Sequence, residues 1–307
     1  MRKRQSFPDQ LAHLRMLNKR RRLALFVGAG ISFGCGLPTW AELVELLSTR
    51  AYPSATPEAQ MALARQATIP RTRLLKSKLK KNFRKAVAEC LYSRPYQLSN
   101  AIQRIAASGI ERICSYNFDE LLEEALQVAD VEFKSLTPGE ALNGNYKGTV
   151  VFHPHGLLPA AMGQDEPQSG TLVLSEEDYH ELYSNPYSWA NLVQLSLLIN
   201  HTCLFVGVSV TDPNLRRLLD VCASLRFTHR HYAIMRSPLS DVDHSEKSLA
   251  KQLKSVLEGD LVSLRVDPIW VGQYNDVGKI FKAIRVNRSS KTVSPQSSNE
   301  PGWRNHR

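Results

Sequence analysis

The signals that sort proteins most quickly are missing from this chain. It has five cysteines in 307 residues, at 35, 90, 114, 203 and 222, and no two of them form a Cys-x-x-Cys pair. That excludes a zinc ribbon or finger, and an odd, scattered set reads as reduced, mostly buried thiols of a cytosolic protein. No apolar run approaches the roughly 18 residues of a membrane span. The charged opening MRKR has no apolar segment behind it, so it is not a secretory signal. The expectation is a soluble, cytoplasmic chain with no membrane contact. No internal repeat is evident. Acid is in deficit as well: 39 Lys and Arg stand against 29 Asp and Glu, a formal net charge of +10.

The excess base is clustered. KRRR occupies 19–22 and RTRLLKSKLKKNFRK fills 71–85. Such runs attract nucleic acid, an acidic partner or a dinucleotide phosphate, or they are solvated helix faces. A nucleic-acid partner rests on net charge alone.

The pattern along the chain alternates. Residues 9–22 read as a short amphipathic helix, and LALFV (23–27) as a buried strand. AELVELLSTR reads as a helix that Thr39 caps, with Glu42 completing a capping box. Residues 51–99 are rich in Ala, Arg and Lys and lack strand-like runs, which predicts an insertion of two or three helices. From there AIQRIAAS reads as a helix, IERICSYNFD as a strand, LLEEALQVA as a helix and TVVFHPHG as a strand. TLVLSEEDYHELY mixes a short strand with a helix start, and PYSWANLVQLSLLINH is a helix. HTCLFVGVS, HYAIMR and LVSLRVDPIWV read as strands, with helices DPNLRRLLDVCASL and KSLAKQLKSVLE between them. The chain divides into a basic N-terminal helix (1–22), one α/β domain (23–287) with a helical insertion near 50–99, and a polar, disordered tail (288–307). Strands alternating with helices imply a doubly wound, mostly parallel sheet. In such a sheet ligands collect at the carboxyl ends of the strands.

Four polar clusters sit at such ends. The first is Gly28-Ala29-Gly30-Ile31-Ser32, a glycine loop after a buried strand. Missing Cβ atoms and free N–H groups at a helix start favour a phosphate, which points to a nucleotide; a tight turn without ligand is the plainer alternative. The spacing to Gly34 is not the G-x-G-x-x-G of dehydrogenases, and no acidic residue closes a second strand to hold a ribose, so hydride transfer is disfavoured. The second cluster is Ser115-Tyr116-Asn117-Phe118-Asp119, where Asn117 and Asp119 alternate and face one way, unless they merely cap a helix. Third comes His153-Pro154-His155-Gly156, with two candidates for a general base. The fourth is Gly207-Val208-Ser209-Val210-Thr211-Asp212-Pro213, whose Ser209 and Asp212 suit nucleotide hydroxyls or phosphate, while Asp212 also fits an N-cap with Pro213 behind it.

Taken together and in this order, GAGIS, SYNFD, HPHG and GVSVTDPNL resemble the sirtuin-like proteins, specifically the bacterial SIR2-like domains of antiphage defence. LSEEDYHELY is similar to the stretch those domains carry between their histidine and the late glycine–serine segment. The likeness runs over about 20–235. It implies a Rossmann-like fold and NAD⁺ as substrate. It implies His155, next to Gly156, as the base, Asn117 as the holder of ribose or water, and Asp119 as its support. The backbone at Gly28, Ala29 and Gly30 with Ser32 would cradle pyrophosphate, and Gly207, Ser209 and Asp212 would close on the adenosine side. The chain departs from the deacylases of the family. It lacks their four-cysteine zinc module, and Gly36-Leu37-Pro38-Thr39-Trp40 stands where they carry an arginine-bearing segment. No zinc is expected. The expected reaction is therefore hydrolysis of NAD⁺ to nicotinamide and ADP-ribose, in abortive defence against phage. The alternatives are an NAD-dependent deacylase or ADP-ribosyltransferase, or a subunit that senses NAD or ADP-ribose without turnover. By the same analogy the enzyme is silent at rest and controlled by oligomerisation or a regulatory partner, with 71–85 as the candidate contact surface.

Overall fold

A computed structural model of the chain describes residues 5–142, 146–160, 171–225, 229–240, 242–243 and 245–288. The MRKR opening, most of the 160–170 loop and nearly all of the polar tail lie outside them. No helix among the described residues is long and apolar enough to cross a membrane.

The alternation seen in the sequence becomes a seven-stranded sheet in which every neighbouring pair is parallel. Its strands are β1 (Leu23–Val27), β2 (Arg112–Ser115), β3 (Phe133–Leu136), β4 (Thr149–Phe152), β5 (Thr202–Val206), β6 (His231–Arg236) and β7 (Val266–Val271). The spatial order is β3-β4-β2-β1-β5-β6-β7. The central strands β1 and β5 are buried at every position, as strands covered on both faces must be. β3 carries no clear signal in the sequence. FKSL is short, alternates only weakly, and pairs at the sheet edge.

The chain leaves β1 toward β2 on one side and later returns to β5 on the other, so the strand order reverses between β1 and β5. That is where a doubly wound sheet opens a crevice. Register keeps the exits level, with Val27 opposite both Ser115 and Val206. The glycine loop, the Asn-x-Asp turn and the Gly207 loop therefore emerge side by side.

Helices cover both faces. Near the start lie α1 (Phe7–Lys19), the single turn α2 (Ala29–Phe33) and α3 (Trp40–Ala51), and the last has the expected capping box between Thr39 and Glu42. Three helices fill the Ala- and Arg-rich stretch: α4 (Pro57–Ala64), α5 (Thr68–Leu79) and α6 (Phe83–Leu91). Then come α7 (Asn100–Ala106), α8 (Leu121–Val128), α9 (Glu176–Ser184), α10 (Trp189–Asn200), α11 (Pro213–Ser224), α12 (Lys247–Ser263) and α13 (Asn275–Ile284). The expected strand in TLVLS is not formed. Residues 171–174 run as irregular chain, and the Val173 N–H donates to the His155 carbonyl instead of joining the sheet. α13 escaped the sequence reading, although Val277, Ile280, Phe281 and Ile284 form a buried helical stripe.

Part of the basic run 71–85 is paired within the fold. Arg71 pairs with Glu45, Arg73 with Glu176 and Glu177, and Lys76 with Asp178, while Arg84 donates to the Leu157 carbonyl. These contacts fasten α5 and α6 to α3, to α9 and to the segment after β4.

Candidate active site at the sheet switch point

At the carboxyl ends of β1, β2, β4 and β5 lies a cavity of about 360 Å³. Gly28, Ala29, Ser32, Asn117, Asp119, His155, Gly207, Ser209 and Asp212 all line it. Nine of the ten residues singled out in the sequence thus meet in one place. The tenth, Gly30, lines a second cavity of about 340 Å³ on the other side of the glycine loop, together with Gly207, Ile234, Arg236 and Tyr274.

The glycines form a ridge between these cavities. The Gly28 N–H donates to the Val206 carbonyl at 3.1 Å and the Gly30 N–H to the Gly207 carbonyl at 3.0 Å. Both amides are thus spent on holding the two loops together. A Cβ on Gly28 would come within 2.7 Å of the Gly207 oxygen, and one on Gly30 within 2.8 Å of the Gly207 Cα. Close backbone approach, rather than amide donation to a ligand, is what this structure takes from Gly28 and Gly30. Gly207 itself has φ of +65°, a region side-chain-bearing residues avoid. In the same loop Val210, buried and β-branched, is held at φ +57°, a strained conformation of the kind that persists only where surrounding contacts impose it.

Asn117, Ser32 and Asp119 form a directional chain. The Ser32 hydroxyl donates to Asp119 Oδ2 at 2.8 Å. Its one proton is then committed, so toward Asn117 it accepts, and Asn117 Nδ2 donates to it at 2.7 Å. This fixes the amide orientation and leaves Asn117 Oδ1 as the outward group. That oxygen is buried and has no protein partner. An unmet buried acceptor is costly and marks a place for a donor from outside the chain. Asp119 is also held by the Leu121 N–H at 3.2 Å. Burial pushes its carboxyl up to about 6, against the pull of the Ser32 and Leu121 hydrogen bonds.

The two histidines have opposite surroundings. His153 is fully buried, and its Nε2 lies 2.8 Å from Glu123 Oε1, which also accepts from Ser135. His155 has no such carboxylate. Its ring packs on Tyr116 at 4.7 Å between centroids and meets the edge of Tyr179 at 6.1 Å. Its Nε2 is buried and without a partner. Burial lowers its pKa, and the more distant Asp212 and Asp178 only partly oppose this. A neutral imidazole in that position is a ready proton acceptor. Gly156 explains the His-Gly pair: its φ is +96° and a Cβ there would lie 2.0 Å from the Thr171 carbonyl oxygen. Only glycine lets the chain turn under His155 into the 171–174 segment.

Asp212 is already in use. One oxygen takes the Leu215 N–H at 2.7 Å, capping α11, and the other takes the Tyr179 hydroxyl at 2.8 Å. It lines the same cavity as His155, and both its oxygens are engaged within the fold. Ser209 is exposed and bonds Thr211. Sequence reasoning did not single out Trp40, Tyr116 or Tyr179, which also line the cavity. Tyr116 adjoins Asn117 and was within reach, and Tyr179 lies inside the LSEEDYHELY stretch without standing out from it. Among the described residues no group of three or more His, Cys, Asp or Glu is arranged to hold a metal ion.

A parallel sheet with its crevice at the strand-order reversal, a glycine ridge, and an Asn and a His facing one cavity define a class, and comparison with known proteins agrees. Residues 111–257 match the family model of the SIR2-like domain. Among its curated relatives is the NAD(+) hydrolase ThsA of Bacillus cereus (strain MSX-D12), 25% identical over 280 residues, covering 88% of this chain and 55% of the relative. Another is the NAD(+) hydrolase ThsA of Enterococcus faecium, 26% identical over 290 residues, covering 88% and 56%. The chain thus spans about half the length of these relatives. A solved chain described as "Structural Basis for the Mechanism and Regulation of Sir2 Enzymes" aligns with a TM-score of 0.44 at 14% identity, covering 90% of this chain and 95% of that one.

Proposed function

We propose that this chain hydrolyses NAD⁺ to nicotinamide and ADP-ribose. The observation that carries the reading is the pair of buried, unpartnered atoms, Asn117 Oδ1 and His155 Nε2, on residues that line one cavity beside the glycine ridge. The relatives' names as NAD(+) hydrolases support it.

A dinucleotide would cross the ridge, with its nicotinamide ribose in the Asn117–His155 cavity and its adenosine in the cavity of Ile234, Arg236 and Tyr274. Two chambers that share Gly207 suit a ligand with two rings joined by a pyrophosphate. The glycosidic C–N bond breaks and its electron pair leaves on nicotinamide, which departs neutral. The ribose passes through an oxocarbenium-like state. Water then adds to that carbon and its proton goes to His155 Nε2. Asn117 Oδ1 accepts from a ribose hydroxyl or from the attacking water. Ser32 and Asp119 keep that oxygen turned outward. Positioning and exclusion of bulk water do most of the work, since the leaving group is already good.

The test is direct. Purified protein with NAD⁺ is followed by chromatography for nicotinamide and ADP-ribose, beside Asn117→Ala and His155→Ala. Turnover in the parent and its loss in both variants is the expected result. Nicotinamide release that appears only when an acyl-peptide is added would replace hydrolysis with deacylation. We further assign the activity to antiphage defence through depletion of cellular NAD⁺, held in check by self-association or a regulatory partner. Phage-infected cells carrying the His155→Ala chain should keep their NAD⁺, while cells with the parent chain lose it.

A further inference from the structure

We propose that the C-terminal ends of α1, α7 and α13 form a binding site for a compact polyphosphate. These ends border a cavity of about 650 Å³, well away from the switch point, lined by Arg15, Lys19, Arg104, Lys282 and Arg285 with Val286 and Asn287. No carboxylate lines it. The five cations come from three helices and the turn after the last, brought together only by folding, since Arg15 and Arg285 lie at opposite ends of the chain.

Some crowded bases elsewhere are met by acids. In the 71–85 run Arg71, Arg73 and Lys76 pair with Glu45, Glu176, Glu177 and Asp178. Arg21 and Arg288 both reach Glu111. Here that compensation is missing: among the described residues no ion pair engages any of the five lining cations. The helix ends themselves offset part of the charge. Lys19, Arg104 and Lys282 lie in last turns, and each helix end carries about half a negative elementary charge. Three such ends leave a net positive charge facing a concave surface. Like charges held this close repel, and a multivalent anion relieves that repulsion.

Shape selects the ligand. Arg21 and Arg288, which follow α1 and α13, are both tied to Glu111 and take no part in the cluster. No aromatic ring lines the cavity for a base to stack on. Arginine forks and lysines around an open depression fit the oxygens of linked phosphates. Inorganic triphosphate and the triphosphate of a nucleotide present the same chemistry.

Titration calorimetry of the full chain with inorganic triphosphate, with ATP and with a single-stranded oligonucleotide tests this. The variant is Arg15→Ala/Arg104→Ala/Arg285→Ala, three exposed or half-buried positions, with unchanged circular dichroism and unchanged basal activity required of it. Triphosphate should bind saturably, raise the melting temperature, weaken with salt and resist displacement by ADP-ribose. The triple variant should lose at least about tenfold in affinity. ATP binding equally well would assign recognition to the phosphates alone, and tighter ATP binding would add the nucleoside. Absence of saturable triphosphate binding to the parent, equal binding by the variant, or preference for the oligonucleotide would overturn the proposal. Should the variant misfold, charge reversal at Lys282→Glu alone gives the same reading.

Discussion

Two clusters stand a few residues apart along the chain and differ in one respect. Around His153 both ring nitrogens meet the protein: Nε2 meets Glu123 Oε1, which also takes the Ser135 hydroxyl, and Nδ1 lies 3.5 Å from the Asn117 carbonyl, while the one spare atom, Glu123 Oε2, lies away from the cavity lining. Around His155 and Asn117 the hydrogen bonding stops short, and one atom of each side chain is left over. Both clusters are buried, polar and placed at strand ends. A satisfied network rigidifies a fold, whereas an unsatisfied one costs stability and waits for a ligand. The difference teaches that function here is read from unpaired atoms on residues that also line a cavity.

The comparison breaks first, if it breaks, on activity. His155→Ala and Asn117→Ala should each lower nicotinamide release by about 10²- to 10⁴-fold, the usual worth of a general base or an oriented polar contact. Each also loses a buried contact, the Asn117–Ser32 hydrogen bond or the packing of the His155 ring, so urea midpoints should fall modestly and by less than that of His153→Ala. His153→Ala should do the reverse in kind. It strands Glu123 in the interior, and removing one partner of a buried pair costs about 3–5 kcal/mol. Equilibrium unfolding measures that cost. A His153→Ala protein that unfolds normally but has lost all turnover would exchange the roles of the two histidines.

The ridge gives the next effect down. Gly207→Ala places a Cβ within 2.7 Å of the Ile31 nitrogen at a backbone angle of +65°. A loss of about 2 kcal/mol is expected from the strain alone, read from thermal or urea unfolding. Gly139→Ala, also at positive φ but with nothing within 4 Å of its Cβ, should cost less, and the gap between the two isolates the contact.

Much of the architecture is written locally. β1, β5 and the capped α3 follow from apolar runs and a Thr-x-x-Glu box, which are signals within a few residues of one another. The convergence of four strand ends follows from parallel topology, which the alternation of elements encodes. What could not be read is pairing across the fold. Nothing in HPHG tells which histidine meets Glu123, because that contact depends on how α8 lies over β4. The same limit applies to the bases. Nothing in RTRLLKSKLKKNFRK tells that Arg71, Arg73 and Lys76 meet acids of α3 and α9, and the cluster at 15, 19, 104, 282 and 285 is invisible as a run. The glycine ridge was legible in position but not in role. GAGIS shows where backbone approaches something closely; only the fold shows that the partner is Gly207.

Acidity offers the smallest and most specific test. In the unfolded chain Asp119 ionises at its ordinary 3.8, and in the folded chain burial defers this to about 6. Between those values the folded state holds the proton that the unfolded state has released. Stability from this group is therefore greatest on the acid side, falls as pH rises through that window, and is constant above it. The expected difference is about 1–3 kcal/mol, since each pH unit separating the folded and unfolded ionisations is worth about 1.36 kcal/mol. Asp119→Asn cannot ionise, so its stability relative to the parent should climb between about pH 4 and pH 7. His155, whose pKa burial lowers, pulls the opposite way, but it is present in both proteins and cancels in the difference. The same substitution gives Ser32 an amide in place of a carboxylate, which loosens the orientation of Asn117. The Asn variant should thus be the more stable protein near neutrality and the poorer enzyme. A variant that loses stability relative to the parent as pH rises would mean that Asp119 is held ionised, and that the Asn117–Ser32–Asp119 chain is not under the desolvation its burial implies.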